Sequence, residues 1–391
     1  MKIAFVSPFF GTEAAGGAES ECRNTAIRLA ASGINVEILT TCARDIHHNW
    51  NMNYYAQGVA REDGLTIRRF RTEHVNLEGF DALNKKIIQG VKLSEEEERL
   101  FMALYVNSLD LYRYLSAHGN DHDWICFIPY LFGTTVYGSL FNPARTILIP
   151  CLHDEGYARL QAVKELFHRS ARIVFHVNAE RELAQRLYGD LPGRILMIGE
   201  GIDTDLLSDA DRFRARYNIS SPFVLYAGRK DESKNVHALI RYFTAYKEAH
   251  QGDLKLVLVG PASLPIPERM KDEILDLGFV PHQDRNDAYS AATVFCQPSL
   301  NESFSIVMME SWLCKTPCLV SGKCAVTREH VVRSGGGLYF DNYADFDGCL
   351  TYLMEQPDMR NRMGLAGRKY VLSQFAWDTI ISRYIREVLA D

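Results

Sequence analysis

Long apolar runs and excess positive charge are both missing from this sequence. No stretch approaches the roughly 20 consecutive apolar residues that a membrane-spanning helix needs. The formal net charge is −6, so the chain has no overall attraction for nucleic acid or anionic lipid. The first ten residues, MKIAFVSPFF, lack the extended apolar core and the cleavage site of a signal peptide. We therefore predict a cytoplasmic protein with no nucleic-acid partner.

Cysteine patterns typical of metal sites are also missing, and the one aspartate pattern of that kind has another interpretation. The nine cysteines are an odd number without framework spacing, which indicates reduced thiols. Cys314, Cys318 and Cys324 lie close together in sequence, but their spacing matches no common zinc pattern. Residues 203–205 read Asp-Thr-Asp ahead of an expected helix, and we interpret them as its N-cap. The sequence thus predicts neither a metal nor another bound cofactor.

What the sequence does contain is a repeated order of buried strand, loop and helix. Residues 2–7 form an expected strand, and a loop with Gly11, Gly16 and Gly17 leads into a helix that ends near residue 33. With the next strand, at residues 35–40, this unit opens a doubly wound parallel sheet. A second series begins at residues 223–227. At 391 residues, 47% of them hydrophobic, the chain is long enough for two such domains.

Further strands are expected from short apolar runs. In the first half they are residues 65–70, 123–128, 145–150, 172–177 and 194–198, with mostly helical sequence at residues 83–115; in the second half they are residues 254–260, 275–281, 292–295, 317–320 and 338–340. Ligands of α/β proteins bind at loops that follow the carboxyl ends of parallel strands. His153 is expected in such a loop, as are Arg229 and Lys234, two cations of the kind that a diphosphate needs.

Residues 296–313 carry the strongest ligand signal. Their first part contains loop-forming residues, and helical spacing begins at Ser305. The start of a helix binds anions because its first backbone N–H groups have no partner within the helix. Glu302 in the loop and Glu310 in the helix place one carboxylate on each side of this junction.

Three short motifs in this chain resemble those of the retaining glycosyltransferases of family 4 (GT4). Residues 298–310, PSLNESFSIVMME, match the donor-binding signature P-S-x-x-E-G-F-G-x-x-x-x-E, with Ser303 and Ser305 in place of glycine. Residues 228–235 match G-R-x-x-x-x-K-G except for Asn235, and residues 16–19 match G-G-A-E. Glu200 replaces an asparagine that the family has between its domains. The resemblance covers nearly the whole chain and is strongest after Val224.

The resemblance implies the α/β GT-B fold, with two Rossmann-like doubly wound domains that face each other across a cleft. We expect an acceptor domain at residues 1–203, a nucleotide-sugar domain at residues 204–374, and a C-terminal helix at residues 375–391 that returns to the first domain. The implied reaction moves a hexose from a nucleoside-diphosphate sugar, UDP-glucose or a related UDP-hexose, to an acceptor hydroxyl with retention of the anomeric configuration. The acceptor would be a saccharide or a lipid-linked saccharide in polysaccharide or glycolipid synthesis.

The resemblance also assigns a role to each matched residue. The implied diphosphate contacts are Gly16, Gly17, Arg229, Lys234, Ser305 and Ile306; the donor-sugar contacts are Glu302, Ser303, Phe304 and Ser305; Glu310 binds the ribose; and Phe279, Val280 and Pro281 hold the base through main-chain groups. His153 and Glu302 are the implied catalytic residues. Because two cations and a helix start would receive the leaving diphosphate, no metal is expected in the reaction.

Other classes of function stay open. A nucleotide-sugar epimerase shares the fold, and a sugar-binding member with weak catalysis is compatible with Ser303, Ser305 and Asn235. The spacing of both glycine loops argues against a nicotinamide dehydrogenase.

Two features of the region from Trp50 to Tyr114 also have more than one interpretation. Its aromatic residues fit either core packing or stacking on an acceptor sugar. Residues 85–92 combine three lysines with Ile87, Ile88 and Val91, as in an ordinary surface helix or in one that contacts the inner face of a membrane.

Overall fold

The computed structural model describes residues 1–11 and 16–390 and divides the chain into two compact units. The first unit is Met1–Gly201 together with the C-terminal segment that begins at Ile380, and the second unit is Ile202–Thr379. Residues 12–15 of the expected glycine loop, and residue 391 of the expected C-terminal helix, lie outside the described residues. Each unit contains one sheet of its own.

The first unit is built on an eight-stranded sheet with the order β3-β4-β2-β1-β5-β6-β7-β8. Its strands are β1 (Lys2–Ser7), β2 (Asn35–Thr41), β3 (Gly58–Glu62), β4 (Leu65–Phe70), β5 (Trp124–Phe127), β6 (Thr146–Leu148), β7 (Arg172–Phe175) and β8 (Arg194–Met197). Neighbours pair in parallel, except that β3 runs antiparallel to β4. The sequence did not predict β3, because all its residues are exposed and it has no apolar face to reveal it.

Helices surround this sheet. They are α1 (Gly17–Ala31), α2 (Leu77–Ile88), α3 (Glu95–Leu104), α4 (Leu109–His118), α5 (Gly133–Gly138), α6 (Gln161–Arg169) and α7 (Asn178–Tyr188). The region predicted to be mostly helical, residues 83–115, therefore contains parts of three separate helices. The acidic run at its centre starts α3, where Ser94 and Glu97 form a capping box and the glutamates face the positive end of the helix dipole.

Aromatic side chains of the first unit fill its core. Trp50, Tyr105 and Tyr112 are buried in it, and Trp50 packs edge-on against Phe80 at a ring separation of 5.0 Å. Core packing is therefore the correct interpretation for these three rings. Ile87 is buried as well, so it does not belong to an exposed apolar patch, whereas Ile88 is 70% and Val91 51% exposed.

The second unit has a six-stranded, all-parallel sheet with the order β11-β10-β9-β12-β13-β14. Its strands are β9 (Phe223–Ala227), β10 (Lys255–Val259), β11 (Ile274–Gly278), β12 (Val294–Gln297), β13 (Cys318–Ser321) and β14 (Gly337–Phe340). Its helices are α8 (Ala210–Tyr217), α9 (Val236–Ala249), α10 (His282–Ala291), α11 (Ile306–Leu313), α12 (Ala325–Ser334), α13 (Tyr343–Glu355), α14 (Pro357–Gln374) and α15 (Trp377–Arg383), the last of which continues into the first unit.

The predicted cap of α8 is wrong. Asp209, and not a residue of the Asp203–Asp205 stretch, accepts a hydrogen bond from the backbone N–H of Arg212 at 3.0 Å. The helix starts later than expected, so the earlier aspartates are too far from its first turn to cap it.

The strand order of the second unit determines where a ligand can bind. The chain passes from β9 outward to β10 and β11 and then returns to β12 on the other side of β9. Connections therefore leave β9 and β12 in opposite directions, which opens a crevice at their carboxyl ends. The loops that follow these two strands carry Arg229, Lys234 and Glu302.

None of the helices in the described part of the chain combines the length and the apolar character that crossing a bilayer requires.

Candidate active site

The loops after β9 and β12 meet and bring Lys234 to Glu302. The Nζ of Lys234 donates to Oε1 of Glu302 at 2.7 Å, and Nε2 of Gln297 donates to the same oxygen at 2.6 Å. Two more hydrogen bonds join the loops, Leu300 N–H to the Ser233 carbonyl and Asn235 Nδ2 to the Pro298 carbonyl, each at 3.2 Å. The two loops thus form one surface that presents a cation and a carboxylate.

Two non-glycine residues of this surface have left-handed backbones. Asn235 has φ 54° and ψ 29°, and Ser305 has φ 75° and ψ 69°. Both stand where the GT4 pattern has glycine, which adopts this conformation without the steric cost that a Cβ imposes. Asparagine tolerates it better than serine, so more strain is expected at Ser305.

Ser305 is the N-cap residue of α11, and its side chain is buried. Its Oγ has no hydrogen-bond partner among the described residues. The first N–H groups of a helix also lack intrahelical partners, so this end of α11 concentrates donors. Such an arrangement favours a bound anion.

Phe304 has a different environment from the two serines beside it. Its ring is 1% exposed and packs edge-on against His330 at 5.0 Å and Phe375 at 4.9 Å. A contact between this residue and a donor sugar would therefore use its main chain.

Arg229 and Lys230 are adjacent in sequence but differ in surroundings. The Arg229 side chain is 56% exposed, and its Nε lies 3.5 Å from Asp231. The Lys230 ammonium is fully buried, pairs with Asp276, and donates to the carbonyls of Gly260 at 2.9 Å and Ala262 at 3.0 Å. Arg229 is thus available to a ligand, whereas Lys230 stabilises the loops.

The predicted ribose and base residues are connected through α10. Both oxygens of Glu310 accept hydrogen bonds from this helix, Oε1 from Arg285 at 2.8 Å and Oε2 from Tyr289 at 2.9 Å. Burial, reinforced by the charge of Glu310, raises the pKa of Tyr289, so its hydroxyl stays protonated and donates. The base segment directly precedes α10, and within it Phe279 is 80% exposed while Val280 is buried.

Known proteins resemble this chain in sequence and in fold. Residues 208–370 match the family model described as glycosyl transferases group 1. The D-inositol 3-phosphate glycosyltransferase of Acidothermus cellulolyticus is 29% identical over 245 residues, which are 56% of this chain and 54% of that protein. The chain thus spans about half the length of that relative.

Solved structures extend the likeness over the whole chain. Sucrose-phosphate synthase from Thermosynechococcus elongatus has a TM-score of 0.73 at 18% identity, over 98% of this chain and 97% of that one. Anabaena Alr3699/HepE, solved in complex with UDP-glucose, has a TM-score of 0.67 at 16% identity over 99% of each chain. This chain therefore carries a glycosyl transferases group 1 domain at residues 208–370. The predictions of the family, of the GT-B fold and of a glycosyltransferase enzyme are confirmed.

In the first unit, the two glycines predicted to contact the diphosphate lie at the start of α1. Gly16 is the N-cap residue of α1 and Gly17 its first residue, and neither has a positive φ. A Cβ on Gly17 would meet no described atom within 4 Å. The described backbone therefore does not require glycine at position 17.

His153 lies in the loop after β6, as predicted, with its side chain one-third exposed. Its Nδ1 is 3.9 Å from Oε1 of Glu155, which also accepts a hydrogen bond from the Tyr130 hydroxyl at 2.8 Å. Asp154 points elsewhere, because Arg159 and Arg186 both bind its carboxylate. Glu155 is thus the neighbour that can orient His153.

The sequence interpretation missed a buried cluster in the first unit. Glu21, Cys151 and His176 converge there, with Glu180 and Glu200 close by, and all five are buried. Burial alone would lower the pKa of His176, but the three carboxylates outweigh it and raise that pKa to about 10. Burial and the charge of Glu21 raise the pKa of Glu200. The sequence did offer one indication of this cluster. Cys151, His176 and Glu200 each come shortly after the end of a strand, where α/β proteins place functional residues.

The nine cysteines, all of which lie in the described part of the chain, are free thiols. Cys314 and Cys318 make separate contacts, to Ser208 and to the carbonyl of Met308.

Proposed function

We propose that this glycosyltransferase moves a hexose from a UDP-hexose, UDP-glucose first among them, to an acceptor hydroxyl with retention of the anomeric configuration. The observation that carries this proposal is the contact of Lys234 with Glu302 beside the start of α11, at the carboxyl ends of β9 and β12. UDP as the nucleotide is supported by the Anabaena structure, which was solved with UDP-glucose.

The departing UDP would be stabilised by cations and by helix donors. Arg229 is exposed and can grip two phosphate oxygens, while Lys234 adds a point charge. The N–H groups at Ser305 and Ile306 supply partial positive charge at the start of α11. Because Glu302 holds Lys234 in place before the reaction, we propose that departure of the diphosphate requires no metal ion.

The two glutamates would hold the sugar and the ribose. A carboxylate has about four lone-pair sites, and Oε1 of Glu302 uses two of them for Lys234 and Gln297. Each oxygen of Glu310 accepts one described hydrogen bond and keeps capacity for a ribose hydroxyl. Ser303 and Phe304 would contact the sugar, and Phe279, Val280 and Pro281 would hold the base through main-chain groups.

For the chemical step, we propose that the leaving phosphate takes the proton of the acceptor hydroxyl on the same face of the sugar. The roles of His153, Gly16 and Gly17 follow from the GT4 resemblance. An imidazole such as His153 can bind a sugar hydroxyl or move a proton.

The acceptor would be a saccharide or a lipid-linked saccharide on the cytoplasmic face of a membrane. A pocket of about 240 Å³ in the first unit is lined mainly by apolar residues and glycines, together with Lys92, Arg159 and one acidic residue, Glu98. Ile88 and Val91 are exposed beside lysines on the adjoining surface, a combination that suits anionic lipid. The Acidothermus relative is named for a phosphorylated polyol, so D-inositol 3-phosphate is a second acceptor to test.

The test is a donor panel of UDP-, GDP- and ADP-hexoses, with and without lipid-linked saccharide, free saccharide or D-inositol 3-phosphate. Nucleoside diphosphate release that depends on an acceptor, with an α-linked product by NMR, supports the proposal. An epimerised donor would show the alternative epimerase. Tight binding of UDP-glucose without any release would show a binding protein.

A further inference from the structure

A buried group of side chains of the types that bind metals lies at one end of the first sheet. Nε2 of His176 is 3.2 Å from Oε2 of Glu21, and Sγ of Cys151 is 3.4 Å from that oxygen and 3.9 Å from the His176 nitrogen. Glu21 lies on α1, Cys151 follows β6 and His176 follows β7. All three are more than nine-tenths buried.

We propose that Glu21, Cys151 and His176 bind one divalent transition-metal ion, of which zinc fits best. Zinc takes Cys sulfur, His nitrogen and Glu oxygen at about 2.0–2.3 Å, and a tetrahedral ion with such bonds separates its ligand atoms by roughly 3.3–3.7 Å. The Cys151–Glu21 separation of 3.4 Å lies within this range, the His176–Glu21 separation of 3.2 Å is slightly shorter, and the Cys151–His176 separation of 3.9 Å is slightly longer. A thiolate and a carboxylate together neutralise the charge of the ion.

Charge and hydrogen bonding in the cluster also indicate a cation. Buried carboxylates need a counter-charge or a metal, and Glu21 is buried with Glu180 and Glu200 close by. Oε1 of Glu21 is buried with no hydrogen-bond partner among the described residues. An ion held by Glu21 supplies positive charge next to this oxygen.

The backbone around the ligands is held in place. Glu180 accepts hydrogen bonds from the N–H groups of Leu152 at 2.7 Å and His176 at 2.8 Å, so one carboxylate ties together the two loops that carry ligands. Cys151 has φ +52°, a conformation that non-glycine residues adopt only when their surroundings enforce it. Glu180 therefore fixes the positions of the two loops relative to each other.

The ion would fix the loop that carries His153, two residues after Cys151. Its role is structural, and its existence does not depend on the proposed function. The inference departs from the sequence expectation that the chain holds no metal, which considered only Cys314, Cys318 and Cys324 and the diphosphate.

The experiment measures metal in the full chain after expression with added zinc and purification without chelators. We expect about one zinc per chain by mass spectrometry, and in the cobalt-substituted protein a thiolate-to-cobalt charge-transfer band. Cys151→Ser should remove the band, and His176→Gln should weaken zinc binding by more than roughly 10-fold, the least that even an outer-sphere loss costs.

Cys126→Ser is the matched control, because Cys126 is a buried thiol of β5 in the same unit but outside the cluster. It should keep the zinc and the cobalt band. If Cys151→Ser does not fold, chelation of the wild-type protein replaces it and should lower the melting temperature. Substoichiometric zinc with no cobalt band in the wild type overturns the inference, as does unchanged zinc binding in both ligand variants. These readouts need no turnover, so they are independent of the donor panel.

Discussion

Lys234 and Glu302 form a 2.7 Å ion pair although 68 residues separate them in the chain. The pair is largely buried, with side-chain exposures of 18% and 10%. Each loop also bonds to the other through its backbone, so the pair is held by its surroundings. A positive group is thereby fixed beside the start of α11, where we propose that UDP leaves.

Removing either partner of this pair should reduce the turnover of the folded protein. We expect Lys234→Met and Glu302→Gln each to lower kcat/KM for the donor by about 10²-fold or more, the usual effect of losing one preorganised electrostatic group. Lys247→Met is the matched control, since Lys247 pairs with Glu273 at 3.0 Å in the same unit and is no predicted site residue. Equal losses in the control and in Lys234→Met would contradict the assignment.

Substitution of Arg229 should lower activity but not stability, whereas substitution of Lys230 should lower stability. Arg229→Ala removes an exposed cation, so we expect a loss of donor turnover of about 10²-fold with an almost unchanged urea midpoint. Lys230→Met leaves the partly buried Asp276 and two carbonyls without their donor, which should cost about 3–5 kcal/mol of stability. An Arg229→Ala variant that unfolds as easily as Lys230→Met would show that both residues are structural.

The left-handed backbone at Ser305 predicts that glycine is better tolerated there than serine. Ser305→Gly relieves the Cβ strain and removes a buried hydroxyl without a described partner, so we expect a gain of up to about 1 kcal/mol in the free energy of unfolding. Ser303 lacks this backbone, and Ser303→Gly should instead lose about 0.5–1 kcal/mol through unfolded-chain entropy. Urea unfolding of both variants tests this prediction. A lower free energy of unfolding in both variants would argue against strain at Ser305.

The sequence predicted the parts of the fold that depend on local pattern. The bounds of β1, β4 and β9 agree with the prediction to the residue, because each is an apolar run between turn signals. The donor loops could be placed because their residues follow strands and match a known signature. Asn235 and Ser305 were recognised as departures, but the backbone angle that makes glycine suitable there is visible only in the structure.

Features that depend on strand order could not be predicted in this way. Glu21 and Cys151 are 130 residues apart and meet only because of the order in which the strands and helices assemble. The burial of Lys230 has the same origin, since Asp276 comes from another strand, β11. Spacing along the chain carries no information about such contacts.

Glycine at position 17 should matter for activity and not for folding. Gly17→Ala places a better helix former in the first turn of α1 with no described atom in its way, so stability should stay the same or rise by up to about 1 kcal/mol. If the residue approaches the donor, as the GT4 resemblance implies, turnover should fall. Gly348→Ala, in α13 with equally open space, is the control that should keep full activity. Unchanged turnover in Gly17→Ala would remove this residue from the donor site.

Because of Glu37, the free energy of unfolding should fall as the solution becomes acidic. Burial raises the pKa of Glu37, but the hydrogen bond with His122 and the charges of Arg68 and Lys2 outweigh it and lower that pKa from 4.5 to about 2. Because the folded-state pKa lies below the unfolded-state value, the stabilisation is complete above about pH 4.5 and is lost as the pH falls toward about 2. Its size is on the order of 3 kcal/mol.

Urea unfolding across this pH range should therefore show a steeper loss for the wild type than for Glu37→Gln, which cannot titrate at this position. Glu97→Gln is the control, because Glu97 is a solvent-exposed carboxylate paired with Lys86 and screened by water. Its pH profile should follow that of the wild type. Parallel profiles for the wild type and Glu37→Gln would show that the acid sensitivity arises from other carboxylates.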